Sequence, residues 1–171
     1  MAEPRGSQPA FRGSVFRLDI EEWEGHPSYE VVHHPGAAAI LPITPDDDVI
    51  LVKQFRPAIR QALTEIPAGL LDVDGEDALT CASRELFEET GFRHRSIEFL
   101  GGYYSSAGFT DEYVHLFWAR TDPEPDSAAE PGIEVSRVPL DRMVAAARAG
   151  RVRDAKTALA LLLADARPRL Q

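Results

Sequence analysis

The sequence is short of the features that mark secreted and membrane proteins. Cys81 is the only cysteine among 171 residues, so the chain forms no internal disulfide. This usage fits a reducing compartment, and we expect a cytoplasmic protein. No apolar run reaches the length of a membrane span, and the first residues lack the apolar core of a signal peptide. The sequence therefore predicts a soluble protein without a membrane partner.

Positive charge is also scarce. Lysine and arginine total 18 against 28 aspartate and glutamate residues, which gives a formal net charge of −10. So acidic a domain is a poor general binder of nucleic acid, and we expect no nucleic-acid partner. It can still bind a phosphate substrate at a site where metal ions and a few arginines make the local charge positive. Apolar residues make up 44% of the chain, enough for one domain with a sizeable core.

The most informative segment concentrates charge on one predicted helix. Arg84, Glu85, Glu88 and Glu89 fall within six positions, and Gly91 follows as a residue suited to end a helix. At helical spacing the three glutamates share one face, where their mutual repulsion is relieved by a cation or by solvent. The segment therefore predicts a site for a hard divalent metal; the alternative is a solvated amphipathic helix with surface ion pairs.

Residues 69–92, GLLDVDGEDALTCASRELFEETGF, resemble the Nudix box, G-x5-E-x7-R-E-U-x-E-E-x-G-U, in which U is a bulky apolar residue. The positions that match in place are Glu76, Arg84, Glu85, Leu86, Glu88, Glu89, Gly91 and Phe92. Gly69 stands seven residues before Glu76, so the loop is one residue longer than the pattern. We expect this departure to change the geometry of the loop more than metal binding.

The resemblance implies a fold and a set of metal ligands. The implied fold is α/β: a Nudix α/β/α sandwich with a central mixed sheet and a small N-terminal β-sheet used in dimerisation. The implied ligands are the backbone carbonyl of Ala68 and the carboxylates of Glu85, Glu88 and Glu89. Arg84 is expected to orient the glutamates through its planar guanidinium, and Glu76 to anchor the loop or touch a metal.

The donor types indicate the metal and the reaction. Carboxylate oxygens, without a cysteine pair or ligand-spaced histidines, favour Mg²⁺ or Mn²⁺ over Zn²⁺, and several carboxylates imply more than one ion. Such ions bridging a diphosphate neutralise its charge and activate a water molecule. We therefore expect hydrolysis of a phosphoanhydride, which in Nudix enzymes lies in a nucleoside diphosphate linked to another group.

The similarity extends from about Val15 to Ala166 and points to the ADP-ribose pyrophosphatase branch, which releases AMP and ribose 5-phosphate. The segments that carry it are VVHHPGAAAILPI, LVKQFRPAIRQALTEIPAGLLD, GFTDE and RDAKTALALLL. Ala107 stands where that branch usually has proline, which weakens the case for ADP-ribose specifically. The alternatives are another substrate (GDP-mannose, a dinucleotide, coenzyme A or a damaged nucleotide) or a non-catalytic ADP-ribose sensor.

The branch also implies residues that bind substrate. Arg56 is expected to contact a phosphate, and Glu65 to hold the distal sugar or the residues that bind it. Phe109 and Glu112 are expected to line the pocket. Each has a plainer alternative: Arg56 as a surface arginine, Glu65 as a salt-bridge partner at a strand edge, and Glu112 as a solvent-facing residue.

A general base and a dimer follow from the same resemblance. In this branch a glutamate on a loop in the C-terminal part of the domain activates water. Glu130 is our first choice for this general base, and Glu134 and Glu124 are the second choices. Homodimers of the branch place aromatic side chains from N-terminal strands near adenine. Trp23 is the candidate here, with Phe16 and Tyr29 as further possibilities; packing of a small sheet is the alternative for all three.

Three segments are expected along the chain: a flexible arm over residues 1–10, dimer-forming strands over 11–35 and the Nudix domain over 36–171. Turn residues at 24–28 and 45–48 separate apolar stretches and predict two hairpins. Further strands are predicted over residues 97–104, 113–119 and 133–138, a flexible loop over 121–132, and helices over 139–149 and 154–166.

Overall fold

A computed structural model describes residues 3–167, and the elements below are those found within that range. The strands are β1 (Gly6–Arg12), β2 (Arg17–Glu22), β3 (Tyr29–His33), β4 (Ala37–Ile43), β5 (Asp48–Arg56), β6 (Gln61–Glu65), β7 (Ala68–Leu70), β8 (His94–Tyr104), β9 (Tyr113–Thr121) and β10 (Glu134–Pro139). The helices are α1 (Ala78–Thr90), α2 (Leu140–Arg148) and α3 (Ala155–Asp165). None of the helices in this range is long and apolar enough to cross a membrane.

The first three strands form a separate antiparallel sheet with β2 in the middle. The predicted β2–β3 hairpin is present, but the expectation of a flexible arm over residues 1–10 is wrong for residues 6–10, which belong to the edge strand β1. An edge strand tolerates Pro9, since the missing N–H can face solvent. The sequence did not predict β1, because its side chains are mostly exposed and so show no apolar pattern. The strand forms through hydrogen bonds between its backbone and that of β2. The first two residues of the expected arm lie outside the described range.

The larger sheet is mixed and carries the order β10-β5-β4-β9-β8, with β6 paired to β5 and β7 paired to β4. The pairing between β4 and β9 is parallel, whereas the other pairs in this sheet are antiparallel. All seven residues of β4, AAAILPI, are buried. Because both faces of β4 are covered, polar and apolar residues do not alternate along it, and its sequence is a continuous apolar run.

Two hydrophobic clusters cover the two faces of this sheet. Alternate residues of β4 divide between them: Ala39 and Leu41 belong to the cluster under α2 and α3, and Ala38 and Ile40 to the cluster under α1. Helices on both faces of a mixed sheet make the α/β/α sandwich that the sequence predicts.

The predicted box helix is α1, and both of its ends are capped. Asp77 is the N-cap, and its carboxylate accepts a hydrogen bond from Thr80 N at 2.7 Å. Gly91 closes the helix in the left-handed conformation with φ 77°, and its N–H donates to Phe87 O. Cys81, with Ala82 and Leu86, is buried against the sheet, which fixes the carboxylates on the remaining faces.

Shorter elements differ from the sequence expectation. β6 and β7 lie in the stretch before the box, where no strand was predicted; β7 has only three residues, too few to show a periodic pattern. α2 begins at Leu140, one residue after the predicted start, because Pro139 still belongs to β10. Asp154 caps α3 as predicted, accepting from Thr157 N.

Candidate active site

The short strand β7 brings its backbone against α1. A Cβ built on Gly69 would lie 1.9 Å from Glu85 Oε1 and 2.0 Å from Glu85 Cδ, so a larger residue leaves no room for this carboxylate. The longer loop between Gly69 and Glu76 contains a turn in which Glu76 N donates to Val73 O at 3.1 Å. Gly69 thus keeps direct contact with the helix although its distance along the chain is longer than in the motif.

Arg84 binds three of the box glutamates at once. Its Nε and Nη2 donate to the two oxygens of Glu76 at 2.9 and 3.0 Å, and its Nη1 donates to Glu85 Oε1 at 2.5 Å and Glu88 Oε2 at 3.0 Å. The hydrogen bond from Arg84 is the main cause that lowers the pKa of Glu76. Arg84 therefore anchors the loop to α1 and orients two carboxylates, the arrangement expected for it.

Glu89 is the most buried carboxylate of the box, at 5% exposure. Gln54 Nε2 donates to one oxygen at 2.6 Å and Ala68 N donates to the other at 3.2 Å. Burial raises the pKa of Glu89 to about 7, against the lowering effect of these two hydrogen bonds. Burial also raises the pKa of Glu85, in spite of Arg84. The two carboxylates lack full compensation for their negative charge.

This donor set fits a divalent cation. The available groups are hard oxygens, and a cation would offset the desolvation that raises the pKa values of Glu85 and Glu89. Among residues 3–167 no three His, Cys, Asp or Glu side chains form a ready-made metal site. Arg84 Nη1 bonds one oxygen of Glu85 and one of Glu88 and leaves the other oxygen of each without a bond to it.

The loop that carries Glu130 lies against the C-terminal end of α1. Glu130 N donates to Glu88 O at 3.0 Å, and Asp126 N donates to Gly91 O at 2.9 Å. These bonds tie down a segment that the sequence indicated as flexible. Glu130 is exposed, and its negative charge contributes to raising the pKa of Glu85. The predicted base therefore lies beside the predicted metal ligands.

The two other loop glutamates are held elsewhere. Glu124 pairs with Arg137 at 2.8 Å, and Glu134 pairs with Lys53 at 2.9 Å. For Glu130 no ion pair is found with the residues that the structure describes. Of the three candidates, Glu130 is therefore the one that combines a position beside the box with a carboxylate not already neutralised.

Arg56 on β5 and Glu65 on β6 are joined by two hydrogen bonds, although Val52 is the residue paired with Glu65 in the sheet. Arg56 Nε donates to Glu65 Oε1 at 2.6 Å, and Arg56 Nη2 donates to Oε2 at 3.0 Å. Glu65 is 1% exposed and also accepts from Lys156 Nζ at 3.0 Å. Gln54 and Arg56 are two apart on β5 and so share one side of the strand, which brings Arg56 towards Glu89. The negative charge of Glu89 contributes to raising the pKa of Arg56, behind the larger effect of Glu65.

Three of the four predicted aromatic residues, Trp23, Tyr29 and Phe109, line a pocket of about 400 Å³ between the small sheet and the 105–112 loop, whereas Phe16 does not. Trp23 and Phe109 both line it, and Trp23 Nε1 donates to Glu21 Oε2 at 3.0 Å. Ala107 lines the same pocket, whereas Glu112 does not; Glu112 Oε1 lies 3.8 Å from His34 Nδ1.

The structure thus brings the predicted residues into two groups. One joins the box carboxylates, Arg84, Ala68 and Glu130 and continues through Gln54 to Arg56 and Glu65. The other is the pocket of Trp23 and Phe109, whose lining includes none of the box carboxylates. Sequence reasoning missed Gln54 and Lys156 as parts of the first group. The alternation of Gln54 and Arg56 on one strand could have indicated the former; Lys156, on the distant α3, gave no such signal.

Comparison with known proteins agrees with this geometry. A family profile described as NUDIX domain matches residues 32–161. The chain is 37% identical to the ADP-ribose pyrophosphatase of Bacillus subtilis (strain 168), with 94% of this chain and 91% of the relative covered. It is 34% identical to the methanol dehydrogenase activator of Bacillus methanolicus, over 91% and 88% of the two chains. Similarity to the GDP-mannose pyrophosphatase of Cronobacter sakazakii is 35% identity over 77% and 78%.

The fold has solved counterparts as well. A crystal structure of an ADP compounds hydrolase superposes with a TM-score of 0.77 at 23% sequence identity, covering 96% of this chain and 92% of the other. At that identity the likeness concerns the fold. The profile match, the box carboxylates gathered around Arg84 and the close sequence relatives lead to one conclusion: the chain belongs to the Nudix hydrolase family, whose members act with divalent metals.

Proposed function

We propose that the protein hydrolyses the pyrophosphate bond of a nucleoside diphosphate linked to a sugar, with ADP-ribose as the first candidate, to give AMP and ribose 5-phosphate. The observation that carries this proposal is the retained carboxylate set of Glu85, Glu88 and Glu89 in a chain 37% identical to an ADP-ribose pyrophosphatase over 94% of its length. A non-catalytic sensor would have no need to keep these three charges together.

The metal ligands in this proposal are Glu85, Glu88, Glu89 and the carbonyl of Ala68, and the metal is Mg²⁺ or Mn²⁺, with more than one ion. When bound, such ions neutralise the diphosphate and lower the pKa of the attacking water. Arg84 keeps Glu85 and Glu88 in reach by holding one oxygen of each. Gln54 and the backbone of Ala68 fix the rotamer of Glu89.

Glu130 is the proposed general base. It takes the proton of the attacking water as the new P–O bond forms and the bridging P–O bond breaks. The hydrogen bond from Glu130 N to Glu88 O holds the backbone of this residue at the end of α1. An exposed carboxylate on a surface loop also has the freedom to approach the substrate after binding.

Arg56 is the proposed phosphate contact, because its guanidinium lies on the same side of β5 as Gln54, which bonds Glu89. Glu65 holds Arg56 by two hydrogen bonds and so acts on the substrate through it.

The aromatic pocket is the proposed site for the base of the nucleotide, with Trp23 and Phe109 as its flat walls. We propose that it works in a homodimer. The exposed apolar side chains of the small sheet, Phe11, Val15, Phe16 and Tyr29, support this, since each is more than two-fifths exposed. The cytoplasm is the proposed location, in agreement with a single, buried cysteine.

GDP-mannose is a second candidate substrate, supported by the relative from Cronobacter sakazakii at 35% identity. Ala107, which lines the aromatic pocket in place of the proline usual in the ADP-ribose branch, leaves room for a different base or sugar. A dinucleotide, coenzyme A and a damaged nucleotide remain candidates of the same reaction class.

The test is a panel of substrates with Mg²⁺ and then Mn²⁺: ADP-ribose, GDP-mannose, NADH, coenzyme A and a deoxynucleoside triphosphate. Products are identified by chromatography, and E85Q serves as the inactive control. We expect AMP and ribose 5-phosphate from ADP-ribose at the highest kcat/KM. A higher kcat/KM for another compound would identify that compound as the preferred substrate and would leave the Nudix reaction unchanged. Tight ADP-ribose binding without turnover of any compound would establish the sensor instead.

A further inference from the structure

Lys156 lies outside the box, in the first turn of α3, yet it reaches the active-site network. Its Nζ donates to Glu65 Oε2 at 3.0 Å and to Asp154 Oδ1 at 2.7 Å. The side chains of Glu65 and Asp154 are only 2% and 8% exposed. Lys156 therefore supplies positive charge to two carboxylates that are almost fully removed from solvent.

Glu65 is shared between two cations. Arg56 occupies both of its oxygens, and Lys156 adds a third bond at the oxygen that Arg56 Nη2 also uses. The four groups Arg56, Lys156, Glu65 and Asp154 sum to zero charge. Without Lys156 the sum becomes −1, directly behind the arginine that faces the predicted substrate phosphate.

The charge states agree with such sharing. Burial opposes the positive charge of Lys156, but Asp154 and Glu65 outweigh it and raise the pKa of the ammonium group. Burial likewise opposes the negative charge of Asp154, and Lys156 with Thr157 lowers its pKa overall. Both groups are therefore ionised at neutral pH.

The fold does not need Lys156 to begin α3. Asp154 caps the helix with its other oxygen, Oδ2, which accepts from Thr157 N at 2.9 Å and from Thr157 Oγ1 at 2.6 Å. Thr157 Oγ1 in turn accepts from Ile66 N at 2.8 Å, which joins α3 to the residue after β6. The cap and this junction are complete without the lysine, so the bond from Lys156 to Glu65 is not needed to form them.

We propose that Lys156 is a positioning residue for Arg56: by sharing the carboxylate of Glu65, it leaves the guanidinium with uncompensated positive charge for a phosphate of the substrate. The inference rests on the proposed function, in which Arg56 contacts that phosphate. It assigns to α3, on the opposite side of the sheet from the box helix, a part in binding substrate.

The test compares K156M and K156Q, which remove the charge, with K156R, which keeps it. The matched control is K53M, which removes another lysine–glutamate pair, the exposed Lys53–Glu134 contact of 2.9 Å on β5. Steady-state kinetics with ADP-ribose and thermal unfolding are measured for each variant. We expect KM to rise about tenfold for K156M and K156Q, with kcat within about threefold of wild type, as for loss of uniform binding. K156R and K53M are expected to keep KM within about threefold of wild type.

Two results would overturn the inference. If K156M and K156Q unfold at lower temperature but keep the wild-type KM, the lysine only stabilises the fold. If K53M raises KM as much as they do, the effect is one of overall charge and not of Glu65 sharing. Absence of turnover of the whole substrate panel by wild type would instead overturn the proposed function, and this inference with it.

Discussion

The carboxylate of Glu85 occupies the space in which a side chain at position 69 would begin: a Cβ on Gly69 would lie 1.9 Å from Glu85 Oε1. This contact accounts for a glycine at the start of the box. It also shows why one additional residue in the following loop is tolerated, since the glycine acts through contact in space and not through its distance along the chain.

Replacing Gly69 with alanine should therefore displace Glu85. We expect G69A to lower kcat/KM by about 100-fold or more, because a proposed metal ligand is moved, and to lower the melting temperature by several degrees. Activity assays with titrated Mg²⁺ and thermal unfolding would measure the two effects.

The control for that substitution is G6A. Gly6 lies on β1, and an added Cβ would find its nearest neighbour, Glu22 Oε2, at an ordinary 3.8 Å. G6A should keep wild-type activity. Equal activity of G69A and wild type would show that Glu85 is not needed in its present position.

Glu89 should couple metal binding to pH. Its pKa is raised from an ordinary value of 4.5 to about 7 by burial, so the folded protein binds a proton more tightly than the unfolded chain. The stability from this group is complete below about pH 4.5 and is lost as pH rises through about 7. A divalent cation competes with that proton, so stabilisation by Mg²⁺ should increase over the same range.

Thermal unfolding with Mg²⁺ and with EDTA, between about pH 5 and about pH 8, would measure this coupling. In E89Q the pH dependence of the Mg²⁺ effect should shrink, and kcat should fall by about 100-fold or more with the fold retained. E22Q, an exposed glutamate of β2, is the control. Normal turnover by E89Q would contradict the placement of the metals.

The loop glutamates can be separated by three neutral substitutions. E130Q should lower kcat by about 100-fold or more, the usual contribution of a general base, with little change in KM. E124Q and E134Q should stay near wild type, since those carboxylates pair with Arg137 and Lys53. A loss confined to E124Q or E134Q would transfer the role of the base to that residue.

Cys81 should be unreactive in the folded protein. It is fully buried, and desolvation raises the pKa of its thiol to about 12, so almost no thiolate exists near pH 8. A colorimetric thiol reagent should detect no free thiol in the native protein and one in denaturant. Rapid modification of the native protein would mean that α1 opens readily from the sheet.

The box helix was the most predictable part of the molecule, and the reasons are local. The helix period and the glycine at 91 lie within one continuous segment, and the bond from Arg84 to Glu88 follows from their spacing of four residues. The buried strands β4 and β5 were equally plain from their apolar runs.

What the sequence could not predict depends on partners far away along the chain. β1 forms through backbone pairing with β2, and its exposed side chains leave no pattern. Lys156 meets Glu65 over 91 positions, a contact that only the packing of α3 under the sheet creates. Glu130 was chosen by family resemblance alone. The hydrogen bond from its N–H to Glu88 O, which places it beside α1, leaves no pattern in the sequence.

Gly91 ends α1 and also lies against the loop of residues 121–132. A Cβ there would lie 2.0 Å from Ser127 O, and the carbonyl of Gly91 accepts a bond from Asp126 N. These contacts hold residues 126 and 127 against the end of α1, close in sequence to Glu130. An insertion between 126 and 130 would therefore shift Glu130, the proposed base, relative to the carboxylates of α1.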